Sequence, residues 1–252
     1  MFAGEPPPTG GDLYFSVFRI PVRVHPFFWL VMAILGLPRG DDLRQAIVHL
    51  VTWILAAFLV ILIHELGHAL VMRAYGFAPS IVLYGLGGYT SYNPTGSYRS
   101  AGYSTLGQIL ISFAGPATGF LLAGAILAVL IATGHRVGLV DIGLPVPLPI
   151  WVEEFEPVAI SDLIQNIVMI SIFWGLLNLL PVYPLDGGHI TRDVLVRINP
   201  RDGIRQSLLL SLLVAAAMAV VGMTVWQSLF ATILFGLLAF QSYQALQAYG
   251  GR

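Results

Sequence analysis

Residues 61–70 read ILIHELGHAL, a stretch that places two histidines and a glutamate inside an otherwise apolar segment. The long apolar runs on either side predict a helix. Since His64 and His68 are four residues apart, they share one face of that helix, about one turn apart. Two imidazoles so placed can bind one metal ion, and zinc is the usual occupant of His-x-x-x-His sites. Glu65 can then accept a hydrogen bond from a metal-bound water and take up its proton.

The composition indicates that this segment lies in a membrane. Of the 252 residues, 57% are hydrophobic and 10% are charged, whereas about 25% are charged in a soluble domain. Ionisable side chains are costly in lipid, so those found in apolar segments usually serve a function. The chain has no cysteine, which excludes disulfides and thiolate metal ligands. The formal net charge of −1 identifies no partner, and no basic patch indicates a nucleic acid.

The apolar runs predict an all-α integral membrane protein, a polytopic bundle of about six transmembrane helices with a short membrane-associated β segment. The predicted helices cover approximately residues 25–37, 43–75, 105–132, 158–180, 207–222 and 224–243. Residues 18–24 alternate as in a short strand, and residues 81–92 predict a β-hairpin or a re-entrant extended segment. Residues 1–12 are expected to form a flexible N-terminal head, and residues 13–252 a single transmembrane domain.

The arginines orient the predicted bundle. With the N-terminus inside, the outer segments carry three arginines, Arg39, Arg44 and Arg136. The inner segments carry nine: Arg19, Arg23, Arg73, Arg99, Arg192, Arg197, Arg201, Arg205 and Arg252. This distribution follows the positive-inside rule. It predicts a cell-membrane protein whose metal site lies toward the cytoplasmic side.

A catalytic zinc site needs three protein ligands and an open position, so one ligand remains to be found. Asp186 follows the predicted helix 158–180, which prolines break, and lies at the membrane depth of the two histidines. Gly187 and Gly188 would allow the chain to turn sharply around its carboxylate. Asp186 is therefore the predicted third ligand, and the alternative is a turn-forming Asp-Gly pair.

Two motifs together resemble the paired signature of the site-2 proteases, which are intramembrane zinc metalloproteases. They are HELGH at residues 64–68 and NLLPVYPLDGG at residues 178–188. Supporting matches are FAGP at residues 113–116 and GGYT at residues 87–90. The resemblance covers approximately residues 18–200, the expected catalytic core. It implies a minimal member of the family, without a PDZ domain or a nucleotide-sensing domain.

The resemblance also implies roles for individual residues. One Zn²⁺ per chain would be bound by His64, His68 and Asp186. Glu65 would be the general base that activates the zinc-bound water, and Asn178 would help to hold the substrate or stabilise the oxyanion. The implied substrate is a single-pass transmembrane protein or peptide in the lipid bilayer, cleaved by regulated intramembrane proteolysis. The segment around residues 81–92 would be the edge to which an unwound substrate adds as a strand.

Other interpretations remain open. Intramembrane His, Glu and Asp also mark ion pathways, so the chain could be a polytopic metal transporter, although a second such cluster in a repeated half is not seen. A non-catalytic metal-binding scaffold is the other class, against which the intact Glu65 argues. Asn178 could instead hydrogen-bond a neighbouring helix, and His189 could support the metal site or be an ordinary helix residue. Gly115 and Gly119 are expected to serve helix packing.

Overall fold

Seven helices make up most of the part of the chain that the computed structural model describes, which is residues 6–37, 42–85, 87–93, 104–140 and 148–250. They are α1 (Pro26–Leu35), α2 (Leu43–Ala74), α3 (Thr105–Ala132), α4 (Val158–Asn178), α5 (Asp186–Ile198), α6 (Gly203–Thr224) and α7 (Leu229–Gly250). Five of these helices, α2, α3, α4, α6 and α7, are long and apolar enough to cross a membrane. The predicted multi-pass helical architecture is confirmed, with five candidate spans among the described residues. The predicted count of six spans is not confirmed.

The predicted first span is the ten-residue helix α1. At 1.5 Å per residue it is about 15 Å long, roughly half the thickness of a hydrocarbon core. The helix begins at Pro26, where His25 caps it by accepting a hydrogen bond from the Phe27 amide at 3.0 Å, and it ends at Gly36. Hydropathy located the apolar run, but it does not show that His25 and Gly36 are the residues that bound the helix.

A four-stranded sheet lies beside the C-terminal half of α2, in the order β1 (Leu13–Val17), β2 (Ile20–Val24), β3 (Ala78–Tyr84) and β4 (Gly87–Asn93). The pairs β1–β2 and β3–β4 are antiparallel, and β2–β3 is parallel. The predicted hairpin at residues 81–92 is confirmed as β3 and β4. The strand predicted at residues 18–24 is wrong at its start, because Phe18 and Arg19 form the β1–β2 turn with φ of 50° and 64°. A second sheet pairs β5 (Val137–Val140) with β6 (Leu148–Val152).

Helix α2 is the centre of the fold. It packs against α3, α4 and the strands β3 and β4. Its residues Val60, Ile61 and Leu62 are all buried, and every residue from His64 to Ala69 is buried as well. A helix covered on several sides can hold polar side chains away from lipid, provided that they find partners. The HELGH motif therefore lies inside the protein and not on its lipid-facing surface.

The segment before β1 is attached to the sheet through Arg23, whose side chain is buried. Its guanidinium donates hydrogen bonds to Asp12 Oδ2 at 3.0 Å and to the Pro6 carbonyl oxygen at 2.7 Å. Thr9 Oγ1 donates to Asp12 Oδ1 at 2.6 Å. The Thr9 hydroxyl, then the Thr9 main-chain amide and the Arg23 guanidinium, lower the pKa of Asp12 to about 2. Residues 1–5 of the predicted flexible head lie outside the described residues, and its flexibility stays a prediction.

We predict that Thr9→Ala raises the pKa of Asp12 towards 3.8. Since the folded-state pKa lies below the unfolded one, the Asp12 contacts stabilise the fold at neutral pH. That stabilisation is lost as the pH falls from about 4 to about 2. Carboxyl-carbon NMR of the protein in detergent measures the titration. An Asp12 that already titrates near 3.8 in the unaltered chain would contradict the assignment.

Candidate metal centre

The helical spacing predicted for the two histidines is observed on α2. The rings of His64 and His68 meet edge to face with centroids 4.8 Å apart, and their Nε2 atoms are 3.1 Å apart. Both residues are buried, with exposed fractions of 3% and 6%. Their second nitrogens face away from this meeting point. His68 Nδ1 lies 2.7 Å from the Ile111 carbonyl oxygen of α3, which fixes the proton on Nδ1 because a carbonyl can only accept.

Asp186 completes a cluster of three donor atoms. Its Oδ2 lies 3.1 Å from His64 Nε2 and 3.4 Å from His68 Nε2. The aspartate is the first residue of α5, so the predicted third ligand is brought next to the first two from 118 or more residues away along the chain. Within the described ranges, this is the one group of three or more such side chains that could hold a metal ion.

The cluster has the dimensions of a zinc site. Tetrahedral ligands about 2.0–2.1 Å from a zinc ion are about 3.3 Å from one another, close to the observed 3.1, 3.1 and 3.4 Å. With Nδ1 of His68 protonated, its neutral ring presents only a lone pair at Nε2. The Nε2 lone pair of His68 and the carboxylate oxygen of Asp186 therefore converge next to the imidazole of His64. Such a set of acceptors suits a shared cation.

The turn between α4 and α5 places Asp186, and α6 holds that turn. Ser211 Oγ accepts a hydrogen bond from the Tyr183 amide at 3.1 Å and donates one to the Pro181 carbonyl oxygen at 3.2 Å. Gly187 lies in the first turn of α5, where an added Cβ would be 2.2 Å from the Leu179 carbonyl oxygen. The glycines after Asp186 are thus needed for close packing of α5 on the turn, and the sharp bend expected from the sequence is wrong.

Gly115 of α3 lies directly against the two histidines. A Cβ built there would be 2.2 Å from His68 Nε2 and 2.6 Å from His64 Nε2. The expected role of Gly115 in helix packing is therefore incomplete, because this glycine leaves the space next to both ligand nitrogens open. Sequence spacing alone could not reveal this, since Gly115 and Gly119 look equivalent as a small-residue pair.

Glu65 is buried between α2 and the strand β4. Its exposed fraction is 6%, and its carboxylate oxygen Oε2 accepts a hydrogen bond from Thr90 Oγ1 at 2.6 Å. Thr90 was part of the GGYT match, but nothing in the sequence connected its hydroxyl with Glu65. The connection requires the pairing of β4 with β3, which brings the strand back over α2.

Asn178 and His189 line the same cleft as the three ligands. Asn178 is the last residue of α4, and its amide group donates to the Trp174 carbonyl oxygen of its own helix at 2.9 Å. This bond uses one of the two amide protons of Asn178. The other amide proton and the side-chain oxygen take no part in it. His189 contacts the Tyr183 ring at a centroid distance of 5.3 Å, and burial lowers its pKa.

The cleft that contains these residues has a volume of about 820 Å³ and is largely apolar. It extends along α2 from Trp53 past Ile61 to the ligands, with walls from α1, α4, α7 and β4. Eleven residues separate Trp53 from His64, which corresponds to about 16 Å of helix. The cleft can therefore hold an extended apolar segment next to the three-donor cluster.

The fold and the site together define a polytopic membrane protein with a group of three side chains that could hold a metal ion. The chain belongs to peptidase family M50, whose family model matches residues 52–222. The fold is that of the solved site-2 protease from Methanocaldococcus jannaschii, with a TM-score of 0.54, 21% sequence identity, and coverage of 93% of this chain and 95% of that chain. These matches confirm the site-2 protease resemblance that the motifs indicated.

Two relatives carry names that include the words zinc metalloprotease. One, from Synechocystis sp., is 29% identical over 201 residues, which are 75% of this chain and 46% of the relative. The other, from Methanocaldococcus jannaschii, is 24% identical over 229 residues, which are 89% of this chain and 53% of the relative. The chain thus spans about half the length of these relatives.

We predict that Gly115→Ala weakens zinc binding by roughly 10- to 100-fold, because the added methyl group occupies space beside both histidine nitrogens. Gly124→Ala on the same helix is the matched control, since a Cβ there meets nothing within 4 Å. Zinc content and affinity would be measured by elemental analysis and competition with a chelator, and thermal unfolding would check the fold. Equal zinc affinity in the two variants would contradict the placement of Gly115.

Proposed function

We propose that this chain is an intramembrane zinc metalloprotease, which hydrolyses peptide bonds within or near transmembrane segments of membrane-protein substrates. The observation that carries the proposal is that Glu65, which is next to His64 in the sequence, lines the same apolar cleft as the three-donor cluster. The strand β4 forms one wall of that cleft. Membership of a peptidase family and the names of the two relatives support the same activity.

The proposed zinc ligands are His64, His68 and Asp186. Zinc bound there would supply a Lewis acid that polarises a carbonyl group and lowers the pKa of a nearby water. The ligand side chains would keep their orientation through contacts on α3 and α6, above all the bond of His68 Nδ1 to the Ile111 carbonyl oxygen. One ion per chain is expected, because the described residues hold one such cluster.

Glu65 is the proposed general base. Its carboxylate takes a proton from the attacking water and later returns it to the leaving nitrogen of the cleaved peptide. Burial of Glu65 beside the ligands keeps bulk water away from this proton and holds the carboxylate within reach of the reacting groups. Asn178, whose amide group is anchored to the Trp174 carbonyl oxygen, is proposed to hold the substrate or stabilise the oxyanion with its remaining proton.

The proposed substrate is a single-pass transmembrane protein or peptide that is locally unwound at the site of cleavage. β4 is an edge strand of the sheet, and its residues Gly87 to Thr90 line the cleft. An extended peptide can add to such an edge through main-chain hydrogen bonds. The apolar wall between Trp53 and Ile61 suits the part of the substrate that remains in the membrane. Regulated intramembrane proteolysis is the process in which such cleavage would take place.

We propose residues 13–252 as a single transmembrane domain with its catalytic core at about residues 18–200. The excess of arginine on the predicted inner segments supports a position in the cell membrane with the active site toward the cytoplasm. Three of the twelve arginines used for this orientation lie outside the described residues, namely Arg39, Arg99 and Arg252.

The direct test is cleavage of a single-pass model substrate by purified protein in proteoliposomes. We expect Glu65→Gln to lower the rate by about 10²–10⁴-fold, because the general base is lost, while zinc binding persists. Glu154→Gln, in an exposed segment, is the matched control. Chelation should abolish cleavage, and added zinc should restore it.

Two results would count against the proposal. A Glu65→Gln variant that cuts at the rate of the control would remove Glu65 from the mechanism. Stoichiometric zinc binding with no cleavage of a range of transmembrane substrates would instead favour the scaffold or the transporter.

The proposed orientation can be tested by single-cysteine labelling, since the chain has no cysteine of its own. We expect a membrane-impermeant maleimide to label Glu154→Cys in intact cells and Arg201→Cys only after permeabilisation. Both positions are exposed in the structure, so a lack of labelling reports the membrane barrier. The opposite pattern would reverse the orientation.

A further inference from the structure

The strand β4 covers the Glu65 carboxylate with two of its residues. Gly88 and Thr90 are two positions apart and therefore share one face of the strand, whereas Tyr89 between them points the other way and is 53% exposed. Thr90 Oγ1 lies 2.6 Å from Glu65 Oε2 and 3.2 Å from the main-chain oxygen of the same glutamate. Both residues on this face thus lie next to Glu65.

The Thr90 hydroxyl has one proton, so it can donate to only one of these two oxygens. A separation of 2.6 Å is typical of a hydroxyl donating to a carboxylate, whereas 3.2 Å is longer than an ordinary hydroxyl hydrogen bond. The proton therefore goes to Oε2. This charge-assisted bond occupies one carboxylate oxygen of Glu65 and leaves Oε1 for other partners.

Gly88 leaves space for the carboxylate on the other side. A Cβ at this position would be 2.3 Å from Glu65 Cγ and 2.5 Å from Oε1. The main chain of β4 thus passes directly over the carboxylate, and the Glu65 side chain is confined between the strand and α2. A glutamate side chain has three rotatable bonds, and confinement together with the Thr90 bond selects one arrangement of them.

We propose that Thr90 is a positioning residue for the general base: its hydroxyl holds Oε2 of Glu65 so that Oε1 is the oxygen that takes the proton from water. This inference rests on the proposed role of Glu65. It adds a link between substrate binding and catalysis, because β4 is also the edge strand to which the substrate is proposed to add. One strand then sets the position of both the scissile peptide and the base, and small errors in such a position are costly.

A purely structural role of the hydroxyl predicts different behaviour. If the Thr90 bond only attached β4 to α2, its loss would disturb the docking edge and would appear in KM and in stability. A positioning role predicts a loss in kcat with KM nearly unchanged, because the main-chain edge of β4 is retained. The two roles are therefore separable by kinetics.

The test compares Thr90→Val, which keeps the shape but removes the hydroxyl, with Thr90→Ser, which keeps the hydroxyl. We expect Thr90→Val to lower kcat by about 10- to 100-fold with KM within about twofold, and Thr90→Ser to remain within about threefold of the unaltered enzyme. Ser80→Ala on β3 is the control, since Ser80 Oγ pairs with Ser91 Oγ at 3.1 Å and Ser80 lies outside the proposed docking edge. Zinc content should be equal in all variants.

A second measurement does not depend on cleavage. The chain has five glutamates, so the carboxyl carbon of Glu65 can be assigned in a ¹³C NMR spectrum by its absence in Glu65→Gln. We expect this resonance to shift in Thr90→Val and to stay in place in Thr90→Ser and Ser80→Ala. If the unaltered protein cuts no substrate, the proposed function fails, and this spectrum still decides whether Thr90 holds Glu65.

The proposal would be overturned by any of three results. The first is a Glu65 resonance that is the same in Thr90→Val as in the unaltered protein. The second is a Thr90→Ser variant that loses as much kcat as Thr90→Val. The third is a loss in Thr90→Val that lies in KM and not in kcat, which would leave Thr90 with a structural role.

Discussion

Three atoms that can bind a metal, His64 Nε2, His68 Nε2 and Asp186 Oδ2, converge within 3.4 Å of one another inside the protein. Groups of this kind repel each other in a medium of low dielectric unless a cation or a proton lies between them. Much of the surrounding structure serves to bring them together. Ile111 fixes the tautomer of one imidazole, Gly115 leaves space beside both, and Ser211 holds the turn from which the aspartate extends. These supports come from α3 and α6, helices that contain no ligand.

The small sheet lies on one side of this centre, where the proposed substrate would bind. The parallel pairing of β2 with β3 joins the N-terminal hairpin to the strands that follow α2, and β4 then returns over Glu65. β4 is an edge strand, and its residues Gly87 to Thr90 line the same cleft as the three-donor cluster. A helical substrate cannot use such an edge until its own main-chain hydrogen bonds are broken. In the proposed function, the sheet would select an extended peptide by main-chain geometry, and the apolar cleft along α2 would accommodate membrane-embedded chain.

Much of the candidate centre could be predicted from the sequence, because its residues are either close together on one helix or belong to the second of two paired motifs. His64 and His68 need only helical periodicity, and Asp186 was predicted because it follows a proline-broken helix and precedes two glycines. Contacts that depend on packing between distant elements could not be predicted. Gly115 meets the histidines only because α3 crosses α2 at that residue, and Thr90 meets Glu65 only because β4 folds back. The segment at residues 25–37 was counted as a sixth span although it is short for a bilayer, and α1 is shorter still.

The account depends most directly on the occupant of the three-donor cluster. X-ray absorption at the zinc edge of the purified protein would measure it. We predict one zinc per chain in a nitrogen and oxygen shell at about 2.0–2.2 Å, with two imidazoles in the unaltered protein and one in His68→Ala. Absence of stoichiometric zinc, or a zinc shell without imidazole, would contradict the central claim.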